Sequence, residues 1–392
     1  GAQRGVHGGF EDGLMKTVAL YLHMPFCARK CAYCDFASYP GRERDMARYF
    51  ASVEREMDEQ CARFGAMRAK TVFVGGGTPS LMSGDQAAAL MKAVRARFEV
   101  DESAEVTLEA NPGTLDREKL SAYRAAGFNR ISLGAQAAQS GLLKTLGRIH
   151  QWEDVARSVK MARSCGFHNL NIDLMYALPG QSERDWAETL ERAMALSPEH
   201  LSCYSLIVEE GTPLKERLER GEISLPGEEV ALAFQTMVEQ ILPRAGYERY
   251  EISNYARKGY ECRHNLAYWV RDDYLGLGCA AHSLMNGLRF GNTPDLDEYL
   301  SGRYGREEEA LAPLDERVEA VMLGLRLTQG LNGAEYLARY GRDLLKEAPR
   351  AFEKLGGLGL LKWDGEKLCL TPDGLRVQNA ALVEILEEME GE

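Results

Sequence analysis

Hydrophobic and polar positions follow two rhythms along this chain. Short apolar or β-branched runs occur at Thr17–Met24, Thr71–Val74, Glu105–Ala110, Arg130–Leu133, Asn171–Tyr176 and His200–Ile207. Runs of that length, bounded by turn residues, predict strands. Between them, apolar residues recur every three to four positions. Met46, Phe50, Val53 and Met57 form one stripe; Trp186, Leu190 and Met194 form another, preceded by a capping-box pattern at Ser182 and Asp185. That spacing is one face of a helix. Six strand–helix alternations predict parallel strands with helical crossovers, in a doubly wound sheet or in an open or closed barrel. In all of these, functional groups collect where strands end.

After about Leu225 the rhythm changes. A helix is predicted over Glu228–Leu242, then a Tyr- and Gly-rich stretch runs to Asn292. The segment holding Pro294, Glu307–Glu309 and Pro313 reads as a linker. Beyond it lie a helical run at Leu314–Leu327, two shorter helices, and apolar runs Leu360–Trp363 and Lys367–Leu370 around Asp364-Gly365. Asp-Gly between apolar runs signals a hairpin, so this end reads as winged-helix-like. The organisation expected is a disordered tail or expression remnant at 1–14, a barrel at 15–225, an extension at 226–293, a linker at 294–313 and a helical domain at 314–392. No internal repeat appears beyond the alternation itself.

Composition narrows the function classes. With 392 residues, 45% hydrophobic and 27% charged, the chain supports a sizeable core. No apolar run approaches the ~18–20 residues that span a bilayer, and no signal-peptide pattern is seen. A net charge of −12, with 10 Lys/Arg against 15 Asp/Glu from Leu314 onward, argues against nucleic acid as partner. Nine cysteines, an odd number, point to a reducing cytoplasmic setting rather than a disulfide framework.

Six of those cysteines (Cys61, Cys165, Cys203, Cys262, Cys279 and Cys369) are scattered singly and read as inert thiols. Cys27, Cys31 and Cys34 instead fall within eight residues, in the loop after the first strand. Three such thiolates can grip zinc, with His23 as the nearest fourth ligand. They can also hold a [4Fe–4S] cluster with one iron left open to a chelating ligand. Gly75-Gly-Gly-Thr-Pro79 after the second strand, Glu109, Gln136 and Asp173 at later strand ends favour the second reading, because they would form a polar pocket beside the loop.

The Cys-x3-Cys-x2-Cys spacing resembles the signature of the radical S-adenosylmethionine (SAM) superfamily. The segments Tyr21–Cys27, Gly75–Ser80, Arg130–Gln136 and Asn171–Gly180 resemble its oxygen-independent coproporphyrinogen oxidase group. Cys34-Asp35-Phe36 and His264-Asn-Leu-Ala-Tyr-Trp269 resemble the heme-chaperone branch, HemW. The similarity runs from about Met15 to the C-terminus. It implies a partial (β/α)6 barrel with a C-terminal helical, winged-helix-like domain, and a [4Fe–4S] cluster on Cys27, Cys31 and Cys34. It further implies a SAM site lined by Tyr21, Gly76, Gly77, Thr78, Glu109, Gln136, Arg148 and Asp173, with Tyr33 and the Ile207 backbone at the adenine. Arg148 suits a carboxylate, Glu109 an ammonium and Asp173 the ribose or sulfonium. A reduced cluster would cleave SAM to a 5′-deoxyadenosyl radical; whether this chain does so productively is left open.

Asp35 decides between branches of that group. The porphyrinogen-decarboxylating branch carries a further cysteine after the triad and a longer N-terminal arm. Their absence here implies heme binding and transfer to apo-hemoproteins, with porphyrinogen oxidation or another tetrapyrrole modification as the alternative. A zinc-binding regulatory protein is the reading from a different class. An electron donor for the cluster is the other implied partner; a homodimer and membrane contact through the acceptor stay open. For the heme, His264 is the candidate axial ligand, with Tyr268 and Trp269 stacking on the macrocycle, and His282 the weaker one. Cys279 reads as a buried thiol and His23 as structural.

Overall fold

The computed structural model describes residues 15–305 and 307–391; the tail expected at 1–14 lies outside them. Six strands follow the predicted runs: β1 (Lys16–Met24), β2 (Met67–Gly76), β3 (Glu99–Ala110), β4 (Arg130–Gln136), β5 (Leu170–Tyr176) and β6 (His200–Ser205). Each pairs in parallel with the next. All seven residues of β4 are buried. Strands covered on both faces read as continuous apolar runs rather than as alternation.

Helices α1 (Met46–Phe64), α2 (Gly84–Arg97), α3 (Arg117–Ala126), α4 (Trp152–Ser164) and α5 (Glu183–Ala195) make the crossovers. Met46, Val53 and Met57 of α1 are buried in the main core, and Phe50 packs against it. The capping box at α5 forms as expected. Asp185 N donates to Ser182 Oγ at 3.2 Å and Ser182 N to Asp185 Oδ2 at 2.9 Å.

The chain then adds β7 (Glu248–Arg249), β8 (Asn254–Ala256), β9 (Tyr274–Leu277), β10 (His282–Met285), β11 (Leu288–Gly291) and β12 (Glu307–Ala310). The sheet order is β12-β11-β10-β9-β1-β2-β3-β4-β5-β6-β8-β7. It is an open row, because β1 and β6 each pair with an added strand instead of with each other. Residues from the ends of β2 to β6, together with the loop that follows β1, nonetheless line one cavity, so the row curls into a partial barrel.

The expected linker at 294–313 is structured. It holds a short helix, Leu296–Leu300, and the edge strand β12. The helix is anchored by the Tyr299 hydroxyl, which donates to the buried Glu56 carboxylate of α1 at 2.6 Å. The glutamates Glu307–Glu309 that signalled a linker sit in an edge strand, where charge is tolerated and protects the unpaired backbone, and Pro313 opens the next helix.

Residues from about 313 onward build a second core around Val321, Leu325, Leu344 and Ile385. A three-stranded sheet of β13 (Leu331–Asn332), β14 (Leu361–Trp363) and β15 (Lys367–Leu370) flanks it, with β14 and β15 as the predicted hairpin. Asp364 shapes the turn by accepting from Glu366 N and Lys367 N at 2.9 and 2.7 Å. Ion pairs Arg271–Glu319 (2.9 Å) and Arg376–Glu239 (2.7 Å) tie this unit to the rest. Among the described residues, no helix is long and apolar enough to cross a membrane.

Candidate functional site

A cavity of about 340 Å³ opens at the C-terminal ends of the parallel strands. The structure brings to it Cys27, Cys31 and Cys34 with Tyr33, Gly76, Gly77, Thr78, Glu109, Gln136, Arg148, Asp173 and Ile207. That is every residue expected there except Tyr21. The thiols line the cavity, yet among the described residues no three His, Cys, Asp or Glu side chains converge as ligands of a single ion. A tetrahedral zinc site requires that convergence. Thiolates bound to separate irons of a cubane do not. His23 supplies no fourth ligand: its Nε2 donates to Ala37 O at 2.8 Å and its Nδ1 accepts from the Tyr21 hydroxyl at 3.0 Å.

Glycines let backbone and thiol meet. A Cβ on Gly77 would stand 2.6 Å from Phe26 O and 3.0 Å from Cys27 Sγ, and one on Gly76, at φ +108°, would strike the His23 ring. Gln136 takes φ 66° without being glycine, a conformation that costs about 1–3 kcal/mol and turns its amide toward the cavity wall. There its Oε1 accepts from the Tyr204 hydroxyl at 3.0 Å. A polar chain then leads from wall to thiol. Arg148 Nη2 donates to Gly134 O and to Asn111 Oδ1, Asn111 Nδ2 donates to Thr78 Oγ1 at 2.9 Å, and Thr78 Oγ1 donates to Cys27 Sγ at 3.5 Å. The other guanidinium arm reaches Cys31 Sγ at 3.5 Å.

Burial and the neighbouring Asp173 push the Glu109 carboxyl up to about 8, although Gly76 N donates to it at 3.0 Å. Burial also raises Asp173, opposed by donors from Asn171 (2.7 Å) and Ser132 (3.2 Å). Two buried carboxyls near one another leave the cavity suited to a cation at one end, while Arg148 gives it positive charge at the other. A zwitterion fits that arrangement. Burial pushes the Cys34 thiol up to about 11, so thiolate forms there with a metal rather than in its absence.

His264, the residue expected as axial ligand, does not line this cavity. It is 1% exposed on α6 (Arg263–Trp269). Its Nδ1 meets Thr71 Oγ1 at 2.8 Å and its Nε2 meets the Tyr268 hydroxyl at 2.9 Å. Burial holds the imidazole near 3, hence neutral, and neither nitrogen is free for iron. Glu105 of β3 caps this helix by accepting from Arg263 N and His264 N, both at 3.1 Å. The motif is thereby tied to β2 and β3. Trp269 meets Arg326 at 5.8 Å, across to the second core, rather than offering a stacking face inside. Tyr21 and His282 line a different cavity, together with His23.

Asn111, Tyr204 and Ser132 were not singled out from sequence, though all line the site. Their one legible signal is position: Asn111 directly follows β3, Ser132 lies within β4 and Tyr204 is the penultimate residue of β6.

Comparison with known proteins follows from this geometry. Residues 21–193 match the Radical SAM superfamily and residues 311–377 the HemN C-terminal domain. Heme chaperone HemW of Bacillus subtilis (strain 168) is 34% identical over 375 residues, covering 94% of this chain and 99% of that one. The chain belongs to the HemW family. The HemW heme chaperone of Escherichia coli (strain K12) is 37% identical over 333 residues, 83% of this chain and 87% of its own. Among solved structures, coproporphyrinogen III oxidase (HemN) from Escherichia coli superposes with a TM-score of 0.83 at 24% identity, over 95% of this chain and 90% of that one. That likeness is one of fold. Within the HemW family frame, the superfamily match contains the whole cysteine triad and ends inside α5, so the sixth strand-end wall at Tyr204–Ile207 lies beyond it.

Proposed function

We propose that this HemW-family chain is a heme chaperone. In this reading it holds a [4Fe–4S] cluster on Cys27, Cys31 and Cys34, takes SAM into the adjoining cavity, and delivers heme to apo-hemoproteins. The observation that carries the proposal is the meeting of three thiols and oppositely charged groups at one cavity, in a chain matched nearly end to end by heme chaperones.

The residues suit SAM by their chemistry. Glu109, as carboxylate, receives the ammonium, and the Arg148 guanidinium receives the carboxylate. Asp173 faces the ribose hydroxyls or the sulfonium. Tyr33 and the Ile207 backbone border the adenine; the Ile207 side chain, 70% exposed, is free to turn outward. When bound and reduced, the cluster supplies one electron to the sulfonium, delivered in turn by a donor protein. Gly76, Gly77 and Thr78 keep backbone N–H groups close to the loop, and Tyr204 fixes Gln136. All nine cysteines are unpaired, which supports a reducing, cytoplasmic setting.

Anaerobic reconstitution tests the proposal. About four irons and four sulfides per chain are expected, followed by heme uptake and loss of that heme to an apo-hemoprotein. A loaded protein that neither binds nor delivers heme overturns the reading. Conversion of coproporphyrinogen III to protoporphyrinogen IX would replace it by the oxidase reading, against which Asp35 stands.

A further inference from the structure

A second cavity of about 630 Å³ lies on the other side of the cysteine loop. It is nearly twice the size of the first and within the ~300–1,000 Å³ range of small-molecule sites. Its walls are aromatic: Tyr21, Tyr39, Tyr268 and Tyr274, with Phe36 at the edge. Tyr268 and Tyr274 meet edge to face at 4.7 Å, a rigid apolar wall. One exposed cation, Lys30, and one exposed imidazole, His282, also line it.

His282 differs from His264 in what it leaves free. Among the described residues its ring has no hydrogen-bond or ion-pair partner. It lies over Gly291, its cross-strand partner on β11, where a Cβ would come within 2.6 Å of Nδ1 and 2.7 Å of Cε1. Glycine at 291 therefore makes room for the ring, and the Nε2 side points away from that contact. An unpaired imidazole on a rigid strand, beside an aromatic wall and a lysine, is what an iron porphyrin with carboxylate side chains requires.

The two cavities share Asp35, Phe36 and Ser38. Phe36, 61% exposed, is the ridge between them. Asp35 and Phe36, directly after the ligand Cys34, thus belong to both walls, which gives the segment a use beyond holding the cluster.

We infer that heme is carried in this second cavity, with His282 Nε2 as axial iron ligand, the tyrosines against the macrocycle and Lys30 toward a propionate. The inference rests on the heme-chaperone reading and assigns its cargo site.

The experiment titrates ferric heme and metal-free protoporphyrin IX into the full chain and into its H282A and G291V variants, with H168A as a surface-histidine control. The readouts are Soret position, electron paramagnetic resonance of the iron, and affinity. In H282A, heme affinity is expected to fall at least about tenfold, with a changed iron spectrum that added imidazole restores. Protoporphyrin binding should stay within about twofold, because it has no iron to ligate. G291V, which pushes the ring aside, should reproduce H282A, and H168A should match the wild type. If H282A and G291V bind heme with the wild-type spectrum and affinity, the site is overturned while the chaperone reading stands. If the wild type binds no heme, both fail.

Discussion

Gly77→Ala is the sharpest perturbation of the cluster site that leaves every ligand in place. The added methyl would lie 2.6 Å from Phe26 O, 2.8 Å from Met24 O and 3.0 Å from Cys27 Sγ, whereas ordinary contact begins at 3.4 Å. Neither carbonyl can retreat freely. Met24 O accepts from Gly77 N at 2.7 Å and Phe26 O from Thr78 N at 2.8 Å, so relieving the overlap stretches both bonds. Overpacking of this kind costs about 1–3 kcal/mol, and each weakened hydrogen bond adds about 0.5–1.5. A total of roughly 2–6 kcal/mol, falling at the loop bearing Cys27, weakens cluster retention by about one to four orders of magnitude. Iron and sulfide per chain after anaerobic reconstitution, and the rate of iron loss to a chelator, report it. Gly141→Ala is the matched control. Nothing lies within 4 Å of its Cβ, and it sits in the helix Ser140–Thr145, where alanine gains about 0.5–1 kcal/mol. Wild-type iron content and retention in Gly77→Ala would refute the steric reasoning.

Three further outcomes are expected. Glu56→Leu leaves Gly278 N, Asn292 Nδ2 and the Tyr299 hydroxyl, now at 2.8, 2.7 and 2.6 Å from its carboxylate, without that buried acceptor; at about 1–3 kcal/mol per orphaned donor, denaturant unfolding should show a loss of at least ~3 kcal/mol, and a loss below ~1 would sink the account. Glu109 titrates near 8 because of burial and Asp173, so it is protonated below that pH and must release the proton to receive an ammonium. SAM binding to the reconstituted protein should therefore strengthen from pH 6 to 7.5, below the range where the ligand's own amine deprotonates. Glu109→Gln should lose both affinity and slope, and a flat wild-type profile would contradict the assignment. His264→Ala removes a core side chain bonded to Thr71 and Tyr268 and should destabilise by about 2–4 kcal/mol, while heme bound to the folded protein keeps its iron spectrum; a stable variant with an altered spectrum would restore His264 as ligand.

The sequence and the structure agree most where chemistry is local. The cysteine triad, the glycine run at 75–77 and the strand ends carrying Glu109, Gln136 and Asp173 were readable because each depends on adjacent residues and a short period. The surroundings of His264 were not readable, for the converse reason. Tyr268, one helical turn on, is local to Nε2, but the Nδ1 partner Thr71 is on β2 and the cap Glu105 on β3, so nothing in His264–Trp269 reveals those two contacts. His282 is weak in sequence because its distinguishing feature is room over Gly291, set by strand pairing. The linker expected at 294–313 failed similarly, since Tyr299 finds Glu56 243 residues away.

By itself, then, the sequence determined six parallel strands with helical crossovers and a three-thiolate loop after the first, because these follow from periodicity and spacing. Only the tertiary structure decided that the strand row stays open and extends through 248–310, which thiol-side groups share a wall, and which histidine keeps a free nitrogen. Those outcomes depend on pairing between distant segments, where burial and hydrogen-bond satisfaction, rather than local pattern, select the partner.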